Sequence, residues 1–351
     1  MIHHRIHRAR MLRGLSLEAL ASHLGDISKQ ALNKFEKGDA KPNSTRILQL
    51  AKALNVKPEY FFRSDAIQLA PLEFRKLSKM SLARQASVRE KMHDHLERYE
   101  ALERCFDAET TVQVLPAQSL TVSSVLEAEL AAQQLRDQLK IGGDAIAHLT
   151  ELLEDNGIKV ALLNGPDDFD GACAATHDNQ HVLIALNCQR PGERMRFTAA
   201  HELGHWVMKL PDHMPEKDKE NCCHRFAGAF LYPKDRVLQD FGNHQRSRVY
   251  SAELLNAKRR YGVSMQVALR RLKDLDLLSE AGFRNAYFEF NKHGWRTNEP
   301  EALLPEQPRR FESLVYRGLA EDLFTPSRAA EFLQCSLHEL DPQLDRLPAT
   351  A

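Results

Sequence analysis

His201 and His205 stand four residues apart, with Glu202 beside the first, in the run His201-Glu202-Leu203-Gly204-His205. On a helix that spacing turns both imidazoles to one face, one turn apart. Two imidazoles so placed can bind one tetrahedral Zn2+ at about 2.0–2.1 Å, and Glu202 lies one step round the helix, near a water on the ion. Zinc moves the pKa of such a water towards neutrality, which lets Glu202 take its proton and later pass it to a leaving amine. The pattern is that of a zinc peptidase: Zn2+ as cofactor, His201 and His205 as ligands, Glu202 as catalytic base.

Such a site needs a third protein ligand. A metzincin arrangement requires glycine three residues after the second histidine and a third histidine three residues further on; Met208 and Pro211 stand there, which excludes it. The other source is an acid on a following helix. Glu220, Cys223, Phe226, Ala227 and Phe230 share one helical face, so Glu220 is the candidate ligand at the start of an inward-facing helix. His224, four residues on, is either a competing ligand or a group behind the ligands. Asp212, His213, Glu216 and Asp218 read as solvated loop charge.

The elements that must carry these groups follow from periodicity. Helices are expected from Val125 to Leu139 and from Asp144 to Asn156. A strand follows over Gly157–Leu163, then a strand pair over Gly171–Thr176 and His181–Asn187 with a polar turn between. The motif helix spans 193–209, extended by Phe197-Thr198-Ala199-Ala200 and Trp206-Val207-Met208. A second helix runs from Lys217 to Leu231, where Pro233 stops it, and a helix pair spans 251–276. The strands preceding the motif helix offer an edge along which an extended peptide can add. Tyr232, His244 and Tyr250 are candidates for stabilising an oxyanion.

Residues 125–278 resemble the ImmA/IrrE family of metallopeptidases. The resemblance rests on Asp170-Gly171, on Arg196-Phe197-Thr198-Ala199-Ala200 running into the motif, and on Glu220 followed by Arg225-Phe226-Ala227-Gly228-Ala229-Phe230-Leu231-Tyr232-Pro233. Tyr261-Gly262-Val263-Ser264 and Ala268-Leu269-Arg270-Arg271-Leu272 extend it. Ser327-Arg328-Ala329-Ala330-Glu331-Phe332-Leu333, within 313–340, is similar to the tails of longer members. The family implies zinc held by His201, His205 and Glu220, with Glu202 as base. The chain departs from it at Cys223-His224, where Ala-Asn is usual.

The N-terminal stretch reads as short capped helices. Helix one runs from Ile2 to Arg13 and is closed by Gly14. Ser16 caps Leu17–His23, Ser28 caps Lys29–Lys37 before Gly38, Ser44 caps Thr45–Leu54, and a short helix follows Pro58. Residues 6–62 resemble the Xre/Cro/C1-type helix-turn-helix, carried by Leu17-Glu18-Ala19-Leu20-Ala21-Ser22-His23-Leu24-Gly25 and Ile27 through Gly38. In that fold the third helix enters the major groove of double-stranded operator DNA, which places Ser28, Lys29, Gln30, Asn33 and Lys34 at the DNA. Gln30 and Asn33 suit adenine, and the lysines suit guanine or phosphate. Lys37, Lys41, Arg8 and Arg13 are phosphate contacts or plain surface charge. Two-fold operators imply a homodimer.

The chain has 351 residues and a formal net charge of +0, yet residues 1–63 hold 12 Lys and Arg against 5 Asp and Glu. Basicity is thus concentrated where the DNA-binding pattern lies. Six cysteines without a CxxC pair argue against thiol-rich metal knuckles. Neither a signal peptide nor a membrane span is read, so a cytoplasmic location without membrane is expected. The organisation expected is multidomain: an all-α helix-turn-helix domain (1–66), a helical connector (67–115), an α+β zincin-like domain with a small mixed sheet (116–290) and a helical tail (291–351). Residues 110–123 are the linker candidate. Val88, Met92, Leu96, Tyr99, Leu102 and Phe106 form an apolar stripe in the connector, for packing on a neighbour or for dimerisation. The functional expectation is a transcriptional regulator that cleaves a partner regulator. The alternative is a non-catalytic repressor or antitoxin, of a prophage or toxin–antitoxin module, that uses the second domain to bind its repressor or toxin partner.

Overall fold

The computed structural model describes residues 2–63, 67, 69–70, 80–106 and 112–340. The N-terminal domain is all helical: α1 (Ile2–Leu12), α2 (Leu17–Leu24), α3 (Lys29–Lys37), α4 (Ser44–Ala53) and a 3-10 turn over Pro58–Phe62. Ser16 and Ser28 accept hydrogen bonds from the Ala19 and Ala31 amides, which starts α2 and α3 where expected. The cap of α4 is Asn43, whose side-chain Oδ1 accepts from the Arg46 amide at 2.8 Å; the expected cap, Ser44, is the first helical residue instead. Ile6, Leu20, Leu32, Leu50, Leu54, Tyr60 and Phe61 close the core.

Helix α5 (Leu82–Glu103) follows, with Val88, Met92, Leu96, Tyr99 and Leu102 buried. The stripe packs within the chain. Its first half covers Ala161, Leu163, Ala174, Leu183 and Ala185 of a sheet, and Tyr99 and Leu102 meet Leu314, Val315 and Phe332 of the C-terminal tail. Expectations for residues 71–79 and 107–111 lie outside the described residues.

The second region is α+β. It contains β1 (Leu120–Thr121), α6 (Val125–Gln138), α7 (Leu149–Asp155), β2 (Ile158–Leu163), β3 (Gly171–Ala175), β4 (Val182–Asn187), α8 (Gly192–Val207), β5 (Met208–Lys209) and α9 (Glu216–Leu231). Four helices follow: α10 (Lys234–Phe241), α11 (Ser251–Tyr261), α12 (Met265–Asp274) and α13 (Glu280–Lys292). The main sheet has order β2-β4-β3, with β2 parallel and β3 antiparallel to β4, so it is small and mixed. Strand β4 is central and every one of its residues is buried, which is why Val182–Leu186 is an unbroken apolar run. Strands β1 and β5 pair in parallel.

The linker candidate is pinned over its described part. The Trp206 indole donates to the Leu115 carbonyl at 2.7 Å, and the Gln118 amide donates to the Trp206 carbonyl at 2.8 Å. Helix α7 begins five residues later than expected. Before it, the buried Arg136 guanidinium binds the Gly142 carbonyl at 2.7 Å and the Asp144 carbonyl at 2.5 Å, which holds that stretch as a loop. Helices α10 and α13 were not legible in the sequence; Pro233 reads as a stop for α9, yet it is also the N-cap of α10. The tail carries α14 (Arg310–Ala320), α15 (Pro326–Leu333) and α16 (Leu337–Leu340), with Gln334 at φ 57° ending α15. No helix among the described residues is long and apolar enough to cross a membrane.

The N-terminal domain is tied to α5 by ions. Arg5, fully buried, forms a two-pronged pair with Glu97 at 2.7 and 2.9 Å, and Arg8 binds Glu90 at 2.5 Å and Glu97 at 3.1 Å. Glu97→Ala leaves a guanidinium buried without its carboxylate, and it is expected to cost about 3–5 kcal/mol. Urea unfolding of the full chain measures this; a change below ~1 kcal/mol rejects the assignment.

Candidate functional site

Helix α8 presents the motif, and its neighbours fix what surrounds it. Gly204, inside the motif, lies against α9: a Cβ built there meets Phe226 Cδ1 at 2.9 Å. Only glycine lets the helices approach this closely, and the approach brings the first turns of α9 beside the last turns of α8. Cys223, Phe226, Ala227 and Phe230 are fully buried on the inward face of α9, as its periodicity implies, and Glu220 begins that face.

The result is a convergent triad. His201 Nε2 and His205 Nε2 are 3.2 Å apart; Glu220 Oε2 lies 3.4 Å from the first, and Glu220 Oε1 lies 3.3 Å from the second. Ligand atoms at the corners of a tetrahedron with bonds of about 2.0–2.1 Å are separated by about 3.3 Å. Each imidazole thus stands at about that spacing from the other and from its nearer Glu220 oxygen, and two histidines with a glutamate make the donor set of a catalytic zinc site. Its side chains grade outward: His201 is 7% exposed, His205 20% and Glu220 27%, so solvent reaches the centre from the Glu220 side.

Glu202, next to His201 on the same helix, is buried. Its Oε2 accepts a hydrogen bond from the Cys173 amide of β3 at 3.1 Å. That contact requires β3 to lie close on α8, and Gly171 permits it, since a Cβ there meets Thr198 Cγ2 at 2.5 Å. Asp170, just before β3, binds Arg190 and Arg194 at 2.7 Å each, tying the strand to the start of α8. Sequence reading missed the Cys173 amide because every residue but proline carries that donor; the only signal was Gly171 itself.

Strand β3 is the edge of its sheet, and its outer rim accepts a strand. Leu69 pairs antiparallel with Thr176, and the Ala70 amide donates to the Ala175 carbonyl at 2.8 Å. Gly171 and Cys173 lie on the same rim, next to Glu202.

His224 lies outside the triad. Its ring stacks on Phe197 at 6.0 Å and sits 4.6 Å from the His201 ring. Tyr232 is turned into the core, stacked on Tyr261, with its hydroxyl donated to Asp240 at 2.7 Å, which removes it as an oxyanion donor. His244 and Tyr250 are exposed between α10 and α11.

In the N-terminal domain, Lys29, Gln30 and Lys34 of α3 are exposed and Asn33 is half-buried, so all four lie along one outward side. Ser28 commits its hydroxyl to the cap, and Lys29 pairs with Glu18. Leu32 fills the core, with Phe35 half-buried against it, and Ala31 is half-buried. Arg8 is turned inward and binds Glu90 and Glu97, whereas Arg13 is exposed and donates to the Leu54 carbonyl at 2.6 Å.

Glu220→Ala is expected to weaken zinc binding by more than about a hundredfold, since even a group behind a ligand is worth 10–100-fold. His224→Ala should keep affinity within about tenfold. Competition against a chromogenic chelator measures both; undiminished zinc in Glu220→Ala rejects Glu220 as ligand.

Residues 6–61 match the helix-turn-helix family model, and residues 154–273 match the model of a peptidase family described as the IrrE N-terminal-like domain. The second match covers β2 through nearly all of α12, a shorter span than the 125–278 of the resemblance. No curated protein matches the chain. The chain thus joins a helix-turn-helix domain to an IrrE N-terminal-like domain.

Proposed function

We propose that this protein is a DNA-binding transcriptional regulator whose second domain is a zinc-dependent peptidase that cuts a partner regulator at a specific site. The observation that carries the reading is the convergence of His201, His205 and Glu220, whose nearest donor atoms lie 3.2–3.4 Å apart pair by pair, with Glu202 anchored beside them. These three residues would hold a zinc ion, which would supply Lewis acidity towards water and a peptide carbonyl. Glu202 takes a proton from the attacking water and returns it to the leaving nitrogen, while the Cys173 amide keeps its carboxylate in place. The substrate chain adds to the rim of β3, as Leu69 and Ala70 do further along it.

In the same reading the protein acts as a cytoplasmic homodimer on a two-fold operator. Ser28, Lys29, Gln30, Asn33 and Lys34 face DNA, although the cap bond and the Glu18 pair leave Gln30, Asn33 and Lys34 as the principal readers. The boundaries 1–66, 67–115, 116–290 and 291–351 remain the proposed organisation. Glu202→Gln is expected to lower partner cleavage by roughly 10²–10⁴-fold and to abolish derepression in the cell, with zinc content and operator affinity retained. Regulation unchanged by this substitution overturns the enzymatic reading in favour of a repressor or antitoxin that only binds its partner.

A further inference from the structure

A cavity of about 350 Å3 opens beside the candidate metal centre, between α8, α9 and α12. It shares a wall with the centre, because His224 and Phe197 line it and His224 packs on His201. Its volume falls at the small end of the range for ligand pockets, about 300–1,000 Å3. Because the His224 ring lies 4.6 Å from the His201 ring, a side chain next to a bond held at the centre is one ring's width from the cavity.

The lining sets what that side chain is. Phe197, Val125 and Val267 are half-buried and give it apolar walls, Arg225 and Arg271 are buried in its lining, and Arg270 stands exposed. Three guanidiniums stand here, but two are spoken for. Arg271 grips Glu129 with both terminal nitrogens at 2.7 and 2.6 Å and donates from Nε to the Tyr232 carbonyl at 3.0 Å. Arg225 binds the same Glu129 and lies 3.4 Å from Asp274. Burial raises the Glu129 carboxyl, but Arg271 and Arg225 prevail and hold it below its ordinary range, so it stays ionised. Arg270 differs. It is 68% exposed, and among the described residues it commits only Nε, to Asp274 at 2.8 Å. Three positive charges face two negative ones, and the unmatched charge is at the open rim.

We propose that this cavity is a specificity pocket for an acidic side chain, Glu or Asp, of the substrate residue flanking the cleaved bond. The side chain's methylene stem rests on Phe197 and Val267, and its carboxylate takes the terminal nitrogens of Arg270, the arrangement in which guanidinium–carboxylate recognition is strongest. The inference rests on the peptidase reading of the neighbouring centre and adds the substrate class.

Cleavage profiling of the zinc-loaded full chain on a randomised peptide library tests it. Wild type should enrich Glu and Asp about tenfold at one position flanking the cut, and Arg270→Glu should invert that preference to Lys and Arg. Cleavage with no acidic preference, or a preference that Arg270→Glu leaves intact, overturns the pocket while the peptidase reading stands. If wild type cuts nothing, the peptidase reading falls, and the pocket is then read by binding. Fluorescence anisotropy of an acidic and a neutral decapeptide on zinc-loaded Glu202→Gln should favour the acidic one about tenfold; equal binding overturns the proposal. Zinc content of Arg270→Glu equal to wild type verifies that the variant is folded.

Discussion

The packing of α8 on α9 is the contact on which the candidate site depends. Two imidazoles one turn apart on a single helix supply only one edge of a coordination tetrahedron, and the third corner must come from a second helix. A Glu side chain is short enough that the second backbone must come near. Gly204 inside the motif and Phe226 on α9 meet that demand, since any Cβ at Gly204 would push the helices apart. The fully buried run Cys223, Phe226, Ala227 and Phe230 then fixes the rotation of α9, and with it the direction of Glu220.

The other side of α8 is held as firmly. Arg196 is buried against the Ile146 carbonyl at 2.7 Å and pairs with Glu306 of the tail. Lys258 of α11, fully buried, joins Glu193 at 2.6 Å to Glu299 at 3.2 Å. The stretch 299–306 thus straps the first half of the motif helix, although its sequence reads as a plain loop. Buried charges paired this way are costly to break and define one arrangement. With β3 on one side and the strap on another, Glu202 has little freedom to leave the Cys173 amide.

What could be read from sequence was what repeats locally. Helix caps at Ser16 and Ser28, the apolar face of α9, the wholly apolar β4 and the exclusion of a metzincin ligand at Pro211 each depend on residues within one or two turns or on a single strand. The triad of His201, His205 and Glu220 followed because both helices are regular. Features that depend on distant pairings were not visible: the Cys173 amide on Glu202, the strap at 299–306 and the inward use of Arg8. The +7 excess of residues 1–63 is the instructive case. Arg5, Arg8 and Arg10 spend their charge on Glu97, Glu90 and Glu36, so part of the basicity that points to DNA is structural.

That inward basicity sets how the two halves of the chain are joined. Arg5 and Arg8 are one turn apart on α1, and their partners Glu90 and Glu97 are two turns apart on α5, with His93 between them hydrogen-bonded to the Ile67 carbonyl at 2.8 Å. An apolar seam tolerates sliding, because one Leu replaces another at small cost. An ionic seam does not: a slip of one turn breaks the two-pronged Arg5–Glu97 pair and the Arg8 pairs together, and a buried charge that loses its partner costs several kcal/mol. The recognition helix is therefore held at a fixed attitude to α5. Helix α5 in turn covers β2 and β4, and β4 aligns β3 over Glu202. From the outward side of α3 to the Glu202 carboxylate the elements are in unbroken contact. Contact alone transmits nothing unless one element has two arrangements. The ionic seam argues that such an element lies beyond α1 and α5, on the β3 rim or at the helix junctions of the second domain.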